Sequence, residues 1–308
     1  MEIVKHDINI NFIGRRKLAM VFSVLLIVAG IVSLIVKGGP DYGIDFAGGT
    51  LIQVKFTDAT KAADIKKALK DMDLEGLLVQ NFEGGSHEFL LRAQDTSSEL
   101  EGLAQQIGSH LEKTYGEGSV EIRRVEMVGP QVGKDLRKKG LMAIVFAMIG
   151  VLIYITIRFE FKFAVGAIIA LVHDVLITLG VFSMFGKEID LPIIAAFLAI
   201  IGYSLNDTII VYDRIRENSG KEKKEEFPAT VNASINETLS RTILTSGTTL
   251  LVILALFLFG GGVIHNFAFA MLIGVVVGTY SSIFVASPVL LFWDDYKNRH
   301  RKGAPKAS

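Results

Sequence analysis

Residues 191–212 read LPIIAAFLAIIGYSLNDTIIVY, an apolar run interrupted near its end by Asn206 and Asp207. At 1.5 Å per residue such a run forms a helix of about 33 Å, enough to cross the ~30 Å hydrocarbon core of a bilayer. An acid inside it costs at least about 2.5–3.5 kcal/mol on insertion. The stretch therefore predicts a transmembrane helix and, at Asp207, a residue retained for function. Five further runs have the same character. Residues 18–36 and 140–157 are uncharged, 163–186 is apolar except for His173 and Asp174, and 242–264 and 266–293 are uncharged. The expected fold class is a polytopic α-helical membrane protein with six spans.

The composition agrees but says less. The 308 residues are 50% hydrophobic and 21% charged, with 32 Lys plus Arg balanced by 32 Asp plus Glu. A mean hydropathy of +0.44 is too high for an ordinary soluble domain. Neutrality argues against a nucleic-acid partner, which calls for a basic excess. The lack of Cys excludes disulfides, Cys-ligated zinc and thiol catalysis. Arg15, Arg16 and Lys17 precede the first run as in a signal peptide, but the run is too long and no A-x-A-like cleavage site follows, so a retained helix is expected.

Lys and Arg are distributed asymmetrically. The N-terminal side of the bundle carries Lys5 and Arg15–Lys17, then Arg158 and Lys162, then the basic residues between Arg214 and Arg241, then those of the C-terminal tail. The short loops on the other side carry only Lys187. By the positive-inside rule both termini are cytoplasmic. The expected division is a cytoplasmic 1–17, a first span 18–36, an external 37–139, five spans within 140–293, and a cytoplasmic 294–308.

The external segment, roughly 100 residues, suffices for one small domain. Thr50–Phe56 alternates like a strand, and Ala62, Ala63, Ile65, Ala68, Leu69 and Met72 recur at helix spacing. Leu77–Phe82 and His87–Ala93 read as strands joined by a turn at 83–86. A second helix is expected from Ser97 to Tyr115, introduced by Thr96, Ser97 and Ser98 and closed by Gly116. Val120–Val128 completes a βαββαβ order, the ferredoxin-like α+β pattern. That fold hosts many activities. With no metal-ligand spacing or nucleophile–base pair in it, the domain reads as a module that binds a partner or an extended polypeptide, and the chain as a non-enzyme.

Asp207 falls about 8 Å to the cytoplasmic side of its span's midpoint. Ser204 lies one turn away, and Asn206 and Thr208 adjoin it. Arg241 opens the fifth span from the same side, with Thr245 and Thr248 continuing its face. An Asp–Arg pair at that depth suits proton coupling first, and the competing reading is a structural ion pair that fixes helix register. His173 and Asp174 are adjacent, hence about 100° apart on a helix, and each is expected to find its partner on a neighbouring helix. They form a possible second intramembrane polar site, as relay, gate or plain interhelical bond. Glu188 and Asp190 read as caps of the fourth span. Gly274 and Gly278 form a G-x-x-x-G, which implies close helix packing only.

One span, an external domain and five more spans is the layout of half of a resistance-nodulation-division transporter. Local stretches are more specific. DYGIDFAGGT at 41–50, with Asp41, Gly43, Asp45, Gly48 and Gly49, resembles the signature after the first span of the SecD/SecF family. VGPQVG at 128–133, IGYSLNDT at 201–208 with DRIREN at 213–218, SRTILTS at 240–246 and GTYSSIFVAS at 278–287 resemble the SecF branch, in family order. The resemblance implies an accessory to protein export that draws on the proton gradient and needs no other cofactor. It implies SecD, the SecYEG translocon, YajC, YidC and a translocating unfolded polypeptide as partners, in the bacterial inner membrane. It also carries the family's functional Asp and Arg onto Asp207 and Arg241. The alternative reading is a small-molecule exporter half of resistance-nodulation-division type, against which the small outer domain stands.

Overall fold

A computed structural model describes residues 9–72, 74, 76–82, 87–93, 100–220 and 227–302. Helix α1 (Arg16–Val36) is followed by a single turn α2 (Ile44–Ala47) and strand β1 (Gly49–Phe56). Next come α3 (Ala62–Ala68), β2 (Leu78–Asn81), β3 (Glu88–Ala93), α4 (Leu100–Tyr115) and β4 (Val120–Val128). The long helices are α5 (Pro130–Arg158), α6 (Phe161–Phe185), α7 (Leu191–Ser219), α8 (Phe227–Phe259) and α9 (Gly261–Ser281). A π-helical segment, Ser282–Ala286, joins α9 to α10 (Ser287–Lys302). Six of the resulting helical segments are long and apolar enough to cross a membrane.

The outer domain has the expected βαββαβ order. Its sheet runs β2-β3-β1-β4 with every neighbouring pair antiparallel, as the ferredoxin-like pattern requires. Alternation along β1 sends Ile52, Val54 and Phe56 to one face, where they pack with Ile65 and Leu69 beneath α3 and with Ile107 and Leu111 of α4. Gly116 ends α4 at φ 109°, a left-handed position that glycine takes without strain. The turn expected at 83–86 and the start of the second helix at 97–99 lie outside the described residues. So do 73, 75 and the charged run 221–226.

Several elements differ from the hydropathy reading. Helix α5 starts at Pro130, about three turns before the apolar run, because Pro is suited to a first helical position. Helix α7 continues to Ser219 and α8 begins at Phe227. These polar extensions are tied by Arg214 bonding to both Glu217 and Glu237, and by Asn218 donating to Ser234 and Glu237. The break between the last two spans is at Gly260–Gly261, not at His265. Gly261 takes φ 72°, and a Cβ on Gly260 would lie 2.4 Å from the Leu256 carbonyl oxygen.

Small residues set the helix crossings. A Cβ on Gly30 of α1 would lie 2.7 Å from Gly180 Cα of α6. A Cβ on Gly278 of α9 would lie 2.9 Å from Ser204 Cβ of α7, and one on Gly274 would overlap Ile200. From Leu18 to Val36 the exposed residues of α1 are all apolar, Leu18, Ile35 and Val36 each by more than 70%, as a lipid-facing helix requires.

Candidate functional site

Asp174 and Asp207 are both fully buried, at 0% exposure, in the helical bundle. Their surroundings differ. Asp174 is fully solvated by protein. Its Oδ2 accepts from Ser204 Oγ of α7 at 2.6 Å and from Ser281 Oγ of α9 at 2.8 Å, and its Oδ1 faces His173 Nδ1 at 2.8 Å. His173 Nε2 reaches Ser23 Oγ of α1 at 3.0 Å, and the ring stacks on Tyr280 with centroids 6.1 Å apart.

This corrects one sequence-based expectation. His173 and Asp174 do pair with each other while also reaching neighbouring helices. The 100° between them applies at the backbone. Both side chains are long enough to swing across it, and burial makes an unpaired polar atom costly enough to enforce the contact.

Asp207 is less well served. Its Oδ2 is 3.2 Å from Ser246 Oγ of α8 and 3.4 Å from Thr279 Oγ1 of α9. Those two hydroxyls also bond each other at 2.7 Å, so one of them donates to its neighbour in place of the carboxylate. Asp207 Oδ1 is buried without a hydrogen-bond partner among the described residues. Arg241 does not supply one. Its side chain is exposed and forms no ion pair among the described residues, so the contact with Asp207 expected from depth alone is absent in this arrangement.

Of the other predicted polar residues, Ser204 joins Asp174, as described. Asn206 is exposed and bonds to neither acid among the described residues, and Thr245 turns back to the Arg241 and Thr242 carbonyls. Ser23, Tyr280, Ser281 and Thr279 belong to the two centres and were not anticipated as site residues. Their only sequence signal is the polar run 279–282 inside an apolar span and, in the first span, Ser23 as one of two serines.

The signature residues act at the outer end of α7. Asp41 O accepts from Ile189 N at 2.7 Å, and Gly43 N donates to Ile189 O at 2.9 Å. Asp45 Oδ2 accepts from Leu191 N at 2.9 Å, beside Asp190, which caps the helix through Ile193 N at 3.1 Å. Gly48 and Gly49 take φ 78° and 115°, and a Cβ on Gly48 would lie 2.9 Å from Pro130 Cα at the start of α5. Arg92 of β3 completes the joint, donating to Tyr42 O at 2.7 Å and pairing with Glu188 at 3.5 Å. Above this joint, a cavity of about 730 Å³ separates the helix-free face of the sheet (Gln53, Arg92) from Lys187, Leu191 and Asn266.

Burial raises the Asp190 carboxyl to about 6, against the bond from Ile193 N and with help from the negative charges of Asp45 and Glu188. Glu188 is also raised, chiefly by burial, with Arg92 opposing.

Known proteins resemble this chain in sequence and fold. Residues 107–296 match the family described as "Protein export membrane protein SecD/SecF, C-terminal", and residues 32–60 match the "SecD/SecF GG Motif". The protein translocase subunit SecF of Magnetococcus marinus is 47% identical over 302 residues, covering 97% of this chain and 96% of its own. The crystal structure of SecDF from Thermus thermophilus, a translocon-associated membrane protein, matches with a TM-score of 0.85 at 35% identity over 95% of this chain. A second SecDF structure, in a super-membrane-facing form, matches with a TM-score of 0.70 at 34% identity. This chain spans 40% of the length of each of those solved chains. With a matching family over most of its length and a full-length relative at nearly half identity, the chain belongs to the SecD/SecF family of protein translocase subunits.

Proposed function

We propose that this chain is an accessory subunit of protein export, working with SecD beside the SecYEG translocon and drawing on the proton gradient to promote late translocation of unfolded polypeptides. YajC and YidC are further partners in this reading. The protein lies in the bacterial inner membrane with both termini in the cytoplasm. Its activity is non-enzymatic, and protons are the only small species it consumes.

The observation that carries the reading is Asp207 Oδ1, a buried carboxylate oxygen without a partner among the described residues, on a helix whose outer end is bolted to the outer domain. An ionised carboxylate with one bare oxygen in an apolar bundle bears a desolvation cost that a bound proton or a paired cation removes. The site therefore alternates between two ways of meeting that need: a proton on Asp207, or the Arg241 guanidinium moved up beside it. Each exchange repacks α7 against α8 and α9. The joint of Asp41, Gly43 and Asp45 with residues 189–191 passes the movement to the outer domain, which captures and releases the emerging chain.

The test is Asp207→Asn in membrane vesicles carrying SecD and SecYEG. Export driven by an imposed proton gradient is expected to fall to the rate without a gradient, with chain abundance and SecD co-purification unchanged. Normal gradient-dependent export by this variant sinks the mechanism. A change in drug susceptibility with intact export would assign the chain to small-molecule efflux instead.

A further inference from the structure

Asp174 and His173 are not used by the mechanism above, yet their hydrogen bonds fix a proton count. The Ala19 carbonyl oxygen can only accept, so the Tyr280 hydroxyl, 2.7 Å away, donates to it. Tyr280 has one hydrogen, so at the 3.1 Å contact with Ser23 it accepts, and Ser23 donates. Ser23 also has one hydrogen, so at its 3.0 Å contact with His173 it accepts, and Nε2 carries a proton. The 2.8 Å contact between Nδ1 and Asp174 Oδ1 needs one proton of its own. Asp174 Oδ2 accepts from both Ser204 and Ser281, the pattern of a carboxylate oxygen, and the shared proton is assigned to Nδ1.

We propose that His173 and Asp174 form a second proton-binding site, an imidazolium–carboxylate pair whose proton fastens α1 to α9 through Ser23 and Tyr280. Loss of one proton rewires this chain. The Nε2 proton leaves to water, while Nδ1–H stays with the carboxylate. Bare Nε2 then takes the Ser23 hydroxyl as its donor. Tyr280 keeps its bond to the Ala19 carbonyl, so the Ser23–Tyr280 bond has no hydrogen left and is lost. Deprotonation thus removes one link between α1 and α9. α1 leads directly into the Asp41–Asp45 joint, so this site and Asp207 act on the outer domain from different helices.

The groups facing the pair are few. From α1 comes Ser23, from α7 Ser204, and from α9 Tyr280 and Ser281. The nearest other acid along α7 is Asp207, one turn beyond Ser204, held by Ser246 and Thr279. No Lys or Arg bonds to the pair among the described residues.

The experiment is nitrogen-15 NMR of the ring-labelled histidines in the full chain, reconstituted in lipid nanodiscs. The chain has 6 His, and the His173 signals are identified as those altered by Ser23→Ala. At pH 7 both ring nitrogens of His173 are expected to be protonated. Tyr280→Phe keeps the ring stacking and removes no group that itself bonds the imidazole, but it removes the acceptor that orients Ser23. The ratio of doubly protonated to neutral His173 should then fall by about fivefold, the equivalent of one net hydrogen bond. A bare ring nitrogen at pH 7, or an unchanged ratio in Tyr280→Phe, overturns the proposal. The readout is independent of export, so it stands or falls apart from the role of Asp207.

Discussion

The Asp45 carboxylate accepts a hydrogen bond from the Leu191 backbone N–H at 2.9 Å, fastening the loop after the first span to the first turn of the helix that carries Asp207. Leu191 N is one of the amides that a helix leaves unsatisfied at its start. Asp190 serves another through Ile193. Two acids from different parts of the chain therefore cap one helix, and the outer domain is held by one of them. Asp207 lies about 24 Å further along α7.

Removing that tether should be felt locally. Asp45→Ala is expected to cost about 1 kcal/mol, the usual worth of a helix cap. Hydrogen exchange at residues 189–193 should accelerate roughly fivefold, while the amides around Asp207 stay protected. Asp45→Asn keeps an acceptor oxygen and should restore most of the protection. Equal exchange in Asp45→Ala and the parent chain would remove this joint from the coupling route.

Asp190 makes the same joint sensitive to pH. Its carboxyl is raised from 3.8 to about 6, first by burial and then by Asp45 and Glu188. A raised acid binds its proton more tightly in the folded state, so its stabilising contribution is complete below pH 3.8 and is lost as pH rises through about 6. The full difference is bounded by about 3 kcal/mol, and partial exposure reduces it. Asp190→Asn still caps the helix but does not titrate. Its melting temperature should exceed that of the parent at pH 7.5 and match it near pH 4, measured on the detergent-solubilised chain. Parallel curves across that range would contradict the assignment.

The Gly278–Ser204 crossing gives a contrast within one bundle. A methyl at Gly278 would press on Ser204 Cβ at 2.9 Å, next to the hydroxyl that holds Asp174. Gly278→Ala should cost about 1–3 kcal/mol through overpacking. A methyl at Gly247 of α8 meets nothing within 4 Å. Gly247→Ala should be neutral or slightly stabilising, by up to about 1 kcal/mol, because Ala is the better helix former. Thermal unfolding of the two variants side by side checks both signs.

The parts of this architecture that depend on apolar period or alternation were legible in the sequence. The six spans follow from long apolar runs, two of them broken only by an adjacent polar pair, and β1 and β4 follow from strand-like runs bounded by turn signals. Helix length beyond the apolar run was not, because residues such as Arg214 and Glu237 continue α7 and α8 through polar contacts to which hydropathy is blind. The two buried acids were visible because charge is rare in a span. Their partners were not, since single Ser, Thr and Tyr residues are common in transmembrane helices and carry no period. Which of them meet is decided by helix rotation, which only packing fixes. The Asp207–Arg241 pairing illustrates this: depth along the helix placed the two at one level, but no ion pair joins them among the described residues.

That separation yields a prediction of its own. Arg241 is exposed and unpaired with any described residue, so Arg241→Met should change the stability of the isolated chain by less than about 0.5 kcal/mol. If the pair forms in another state of the export cycle, the same variant should nonetheless abolish gradient-driven export. Charge-preserving variants then measure the pairing itself. Arg241→Lys loses the planar fork of the guanidinium, and Asp207→Glu moves the carboxylate by one methylene. Two residues that meet during the cycle should show a coupling of about 0.5–3 kcal/mol in export rates, so that the double variant departs from the sum of the singles. Strict additivity would mean that Arg241 acts elsewhere, on a partner or on the cytoplasmic surface, and that Asp207 answers to protons alone.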